Sequence, residues 1–215
     1  NLSTWGTIDL KYLHSLLQSP LASDQIRSQM DEIQELTGGA DVRVKWVGKT
    51  EEWISALKEG KIQLKGVSFQ HRKIPVPLSH IEGSLFFSSE QIRFDGLKGK
   101  LGDSPLSFSG SISRKEPRVG LARLVSFQLS SSQLDLNPLF PKREDTTPTS
   151  FEKVSDWLSN WSFDGKVDID QGKYQSLHFQ DVRAEMKTVD GKLLFHPFQS
   201  KADGGDIWGE AWIQP

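Results

Sequence analysis

Apolar residues recur along this chain with two different periods, and the change falls near Gly60. Before it, Leu10, Leu13, Leu16 and Leu17 follow the three- and four-residue steps of one helical face, in a run that Pro20 ends. Ser23 or Asp24 then suits the cap of a second helix, with a stripe of Ile26, Met30, Ile33 and Leu36 closed by Gly38-Gly39. Val42, Val44 and Trp46 alternate with Asp41, Arg43 and Lys45, which predicts a half-buried strand over 41–47. Thr50 to Gly60, with Trp53, Ile54 and Leu57, predicts a further short helix.

After Gly60 the period is two. Ile62 and Leu64 alternate with lysines and Gln63, and Val67 and Phe69 follow Gly66, a position suited to a bulge. The segment 73–77 carries two prolines and interrupts pairing. Further strands are predicted over 81–87, 91–94, 97–101, 105–113, 125–129 and 134–136. In 105–113 the apolar positions are Leu106, Phe108, Gly110 and Ile112, with serines between them. The segment 141–150, PKREDTTPTS, has no periodicity and predicts a linker. A Trp-bearing helix over 151–161 follows, then strands at 165–170, 174–179, 182–188, 192–195 and 207–213. Turn signals every eight to twelve residues predict a mainly β chain with an antiparallel sheet.

The strands also repeat. A shift of 101 lays Ile81, Leu85, Ile92, Phe94 and Leu97 on Val182, Met186, Leu193, Phe195 and Phe198. A shift of 105 lays Gly60–Leu64 on Gly165–Ile169. The expected organisation is an N-terminal helical segment with one strand (1–59), a β repeat (60–140), the linker (141–150), and a short helix with a second β repeat (151–215). The expected fold is a twisted antiparallel sheet, half-pipe or groove-like, with the N-terminal helices packed on it.

Composition narrows the chemistry. The chain has 215 residues, 36% hydrophobic, with formal net charge -2, so it exerts no general pull on nucleic acid. It has no cysteine, which excludes disulfides, thiolate zinc sites and cysteine nucleophiles. No apolar run is long enough for a membrane-spanning helix, and no signal-peptide pattern opens the chain. If the protein is exported or anchored, the targeting segment lies outside this chain. The five histidines are dispersed. Asp164, Asp168 and Asp170 lack the frame of a calcium loop and read as solvated strand carboxylates. No nucleophile elbow or P-loop occurs, and no metal or cofactor site is expected. The seven tryptophans suit a sugar-stacking surface or, more simply, a thin core.

The run from Gly60 to Phe69, then Pro77 to Phe87, then Ile92 to Ile112 with its DSPL segment at 103–106, resembles the AsmA-like family of bacterial envelope proteins, the AsmA/TamB/YhdP group. Gly191 to Phe198 leading into Gly204-Gly205 is similar to that family's C-terminal pattern. The resemblance covers about 60–113 and 161–213 and carries no catalytic signature. It implies a non-enzymatic periplasmic module, attached to the inner membrane through segments outside this chain. The implied role is phospholipid transport between membranes and outer-membrane integrity. The apolar positions give this a candidate surface: Leu85, Phe87, Ile92, Phe94, Leu106 and Phe108 on one face, with Met186, Leu193 and Phe195 as equivalents. Phospholipid acyl chains are the implied ligand and envelope proteins the alternative partner, through a module that assists outer-membrane protein assembly. The same residues also suit an ordinary closed core, and carbohydrate binding through tryptophans is a third reading.

Overall fold

The structure, a computed structural model, describes residues 2–19, 24–46, 57–72, 74–88, 90–114, 123–139, 161–189, 192–202 and 204–213. Strands dominate, as the alternating pattern predicts, and the chain divides into two compact units, Asn1–Asp103 and Ser104–Pro215. The strands over 104–135, assigned from sequence to the first repeat, thus belong to the second unit.

Unit 1 holds β1 (Leu2–Asp9), α1 (Leu10–Leu17), α2 (Asp24–Met30), β2 (Ile33–Trp46), β3 (Leu57–His71), β4 (Leu78–Ser88) and β5 (Gln91–Leu101). Its strands pair antiparallel in sequence order. Asp9 ends β1 and caps α1, its Oδ1 accepting from the backbone N–H of Lys11 at 2.8 Å. The leucine stripe of α1 forms as predicted and packs along β2, but none of its residues is buried.

Four expectations need correction here. Leu2–Asp9 is a strand, paired from Leu2↔Trp46 to Asp9↔Gly39, although its sequence shows little alternation. The second helix stops at Met30, so Ile33 and Leu36 lie in β2. Gly38 is no helix stop: it sits inside β2 at φ +99°, where a Cβ would lie 2.7 Å from the Gly66 carbonyl oxygen. Of the helix expected over 50–60, Trp53 and Ile54 lie outside the described residues, and Leu57 to Gly60 belong to β3. The predicted bulge at Gly66 is present, at φ +58° between the pairs Leu64↔Gly83 and Val67↔Ile81. Gly83 against Gly96 in β4 and β5 repeats the arrangement of Gly38 against Gly66.

Unit 2 holds β6 (Ser104–Arg114), β7 (Arg123–Ser131), β8 (Leu134–Asp135), β9 (Trp161–Tyr174), β10 (Leu177–Val189), β11 (Lys192–Ala202) and β12 (Gly205–Ile213). The order is β6-β7-β9-β10-β11-β12, with β8 also on β9. The expectation of a wholly antiparallel sheet fails at one place: β7 and β8 both run parallel to β9. A parallel pair needs a long crossover, and the chain over 136–160 separates the partners. The linker over 141–150 and the helix over 151–160 lie outside the described residues, while Trp161 opens β9. The segment 174–179 is not one strand: it spans the end of β9, the two-residue turn Gln175–Ser176 and the start of β10, closed by Tyr174↔Leu177.

Two hairpins share one register. In the β4–β5 hairpin, Leu78 pairs Leu101, Glu82 pairs Lys98, Leu85 pairs Phe94 and Phe87 pairs Ile92. Adding 101 to each number gives Phe179↔Ala202, Arg183↔Gln199, Met186↔Phe195 and Thr188↔Leu193, all pairs of the β10–β11 hairpin. His80 and Asp181, also 101 apart, are both left-handed, at φ +54° and +52°. For the preceding strand the pairing corrects the alignment: Leu85 faces Ile62 and Met186 faces Gly165, an offset of 103 rather than 105.

The described core is thin. Leu134, Ile169 and Val182 form a buried cluster in unit 2, flanked by Leu106, Leu136, Val167, Phe179 and Phe198. Among the described residues of unit 1, Ala40 and Val67 are the buried apolar ones, and no large side chain among the described residues is fully buried.

Candidate functional surface

Each unit has one apolar sheet face, and pairing shows how it is assembled. Side chains opposite each other in register share a face. In unit 1 one row runs Val42–Ile62–Leu85–Phe94 and the next runs Val44–Gly60–Phe87–Ile92. In unit 2 one row is Gly110–Phe127–Gly165–Met186–Phe195–Ala211. A second is Phe108–Leu129–Val167–Ala184–Phe198. Leu193 faces Thr188 and Ile213, and Leu106 flanks the buried cluster. The structure thus brings Leu85, Phe87, Ile92 and Phe94 together in unit 1, and Leu106, Phe108, Met186, Leu193 and Phe195 onto the apolar side of unit 2.

These faces are lined by rings lying over glycines. A Cβ on Gly60 would strike the Phe87 ring; one on Gly165 would strike Phe127, and one on Gly172 would strike Phe179. A ring laid over a neighbouring glycine covers backbone with apolar surface inside a single layer. Phe108 and Phe127 stack with centroids 6.3 Å apart. Seven of the nine residues are half-buried; Ile92 is 40% exposed and Leu193 only 8%, so Leu193 acts as core. Sequence reasoning passed over Val42, Phe127, Val167 and Phe198 as members of this surface. Their alternation was readable, but their rows depend on register.

The polar faces carry the titratable groups. In unit 2, Arg183 Nε lies 2.5 Å from Asp168, and its Nη2 lies 3.6 Å from Asp170. Lys166 and Lys187 both reach Glu185, at 3.1 and 3.7 Å. The hydrogen bond from Lys166 holds the Glu185 carboxyl below its ordinary pKa. Lys201 does the same for Asp181 and is itself raised by that partner. Lys173 lowers Asp135. In unit 1, Asp41 is lowered by hydrogen bonds first from Lys65 and then from the Thr7 hydroxyl. Apart from Lys187–Glu185, within β10, these pairs join neighbouring strands and are exposed or half-buried, the pattern of sheet-stabilising ion pairs. The carboxylates of 164–170 therefore face cations rather than one another: Asp164 is in register with Lys187. Among the described residues, no group of three His, Asp or Glu side chains converges as a metal site. No described helix is long and apolar enough to cross a membrane.

Comparison of the chain with protein-family models, curated proteins and solved structures finds no match.

Proposed function

We propose that this chain is a non-enzymatic, AsmA-like module of a membrane-anchored envelope protein, sited in the periplasm and attached to the inner membrane through segments beyond it. In this reading its apolar sheet faces hold phospholipid acyl chains in transit between membranes, and so support outer-membrane integrity. The observation that carries the proposal is the apolar row structure: unbroken rows cross four strands in unit 1 and six in unit 2, yet no large side chain on them is fully buried. A sheet face of that kind suits an extended apolar ligand better than a compact polar one. The exposed ion pairs on the opposite faces keep those sides wet and direct lipid to one side of each sheet.

A transfer assay tests this. The chain is mixed with vesicles containing a fluorescent acyl-labelled phospholipid and then separated by size. The labelled lipid is expected to travel with the protein, and Ile92→Asp combined with Phe195→Asp is expected to reduce it at least tenfold. Uptake by the wild type no greater than by that variant, both folded by circular dichroism, contradicts the proposal.

A further inference from the structure

The polar face of unit 1 differs from that of unit 2 in one row. Trp5 pairs Arg43, Arg43 pairs Lys61, Lys61 pairs Phe86 and Phe86 pairs Arg93, so the five side chains cross β1 to β5 in line. Four inter-strand steps make the row about 19 Å long. Arg43 and Lys61 stand directly opposite each other, a like-charge arrangement that destabilises a sheet. None of the three cations has a carboxylate partner among the described residues. The nearby acids are engaged elsewhere or stand off: Glu59 binds Lys45 at 3.0 Å and Asp41 binds Lys65 at 2.5 Å. Asp95, two residues from Arg93 on the same face, forms no ion pair with it. Lys61 and Arg93 instead flank the Phe86 ring, 5.2 and 4.5 Å from its centroid. Trp5 is 81% exposed. Between Trp5 and the cations lies an open hollow of about 470 Å³, lined by Thr7, Arg43, Lys61 and the Asp41–Lys65 pair.

We propose that this row docks unit 1 on the surface of an anionic phospholipid bilayer. Lipid phosphates supply the counter-charge that Arg43, Lys61 and Arg93 lack within the sheet, and Trp5 enters the headgroup layer, where its amphipathic ring is favoured. A single-stranded nucleic acid fits less well. Both cations crowd the Phe86 ring, which leaves Trp5 as the one aromatic in the row with an open face, and successive bases need several.

Co-sedimentation of the whole chain with vesicles tests the proposal. Binding is expected with phosphatidylcholine vesicles containing phosphatidylglycerol, and little binding with phosphatidylcholine alone. Raised salt weakens it. Each of Arg43→Gln, Lys61→Gln and Arg93→Gln lowers partitioning about fivefold, and the triple variant about a hundredfold. Trp5→Ala also lowers it. All four side chains are exposed, and circular dichroism confirms that the variants fold. Lys166→Gln with Arg183→Gln, on the polar face of unit 2, leaves binding unchanged. Equal binding to both vesicle types overturns the proposal, as does wild-type binding by the triple variant or loss of binding in the Lys166→Gln, Arg183→Gln variant. Capture of a single-stranded oligonucleotide through the same row, without vesicle binding, also overturns it.

Discussion

Two hairpins in this chain share one register and sit in different surroundings. The pairs of β4–β5 recur in β10–β11 at an offset of 101, down to the left-handed residues His80 and Asp181. Around the second copy the sheet has gathered a buried cluster, Leu134, Ile169 and Val182, and a polar face in which lysines and arginines meet carboxylates. Around the first the buried residues are small, glycines stand at positive φ in neighbouring strands, and a row of cations lacks acidic partners among the described residues. Pairing geometry is thus one quantity and lateral packing another. A hairpin register survives while its neighbours are exchanged, because register depends on local turns and alternation, whereas the core depends on what lies beside it.

The core difference gives the largest expected effects. Ile169→Ala opens a cavity in a buried cluster and is expected to cost about 2–4 kcal/mol. Leu85→Ala, at a half-buried position, should cost about 1 kcal/mol. Urea denaturation of each variant measures this, and equal losses would erase the contrast. The repeat-equivalent positions Gly83 and Ala184 come next. At Gly83 a methyl would stand 2.8 Å from the Gly96 carbonyl at φ +128°, so Gly83→Ala should cost about 2–3 kcal/mol. Ala184→Gly should cost only about 0.5–1 kcal/mol. A smaller difference is expected between the polar faces. Arg183→Ala removes contacts to Asp168 and Asp170 and should lose at most about 1 kcal/mol, whereas Arg43→Ala relieves a like-charge pair and should be neutral or slightly stabilising.

Acid should separate the units least. Asp135, Asp181 and Glu185 in unit 2, and Asp41 in unit 1, have pKa values lowered by folding. Their contribution is complete above the ordinary carboxylate pKa and is lost as pH falls through the lowered folded values. Thermal melts between pH 6 and about pH 2 are therefore expected to destabilise unit 2 slightly more. Lys201, raised by Asp181, contributes below the ordinary lysine pKa and ceases to as pH climbs through its raised value.

Much of this was legible in the chain. Alternation of Leu106, Phe108 and Ile112 with serines places β6, but of the six residues expected on one face, Leu106 and Phe108 lie in unit 2 and the other four in unit 1. Leu2–Asp9 was hidden because its apolar content is little more than Trp5 and Ile8; it becomes a strand by pairing with β2. Ile33 and Leu36 fit a helical step as well as a strand, and pairing of β2 with β3, as at Ile33↔His71, decides between them. The offset of 105 arose because Gly60 and Gly165 look alike in sequence. Each seats a phenylalanine ring, but from different strands: Phe87 for one and Phe127 for the other. The row from Trp5 to Arg93 could not be read at all. Alternation assigns a side chain to a face, while a row across five strands requires four registers known together.

The central claim is that lipid lies on the apolar side of these sheets. A photoreactive residue placed at Ile92 or Phe195, on apolar faces, can be compared in living cells with one at Gln128 or Gln199, on the polar face of unit 2. After illumination, phospholipid adducts are expected at Ile92 and Phe195 and absent at Gln128 and Gln199. Adducts no more abundant at Ile92 and Phe195 than at the two glutamine positions would contradict the account.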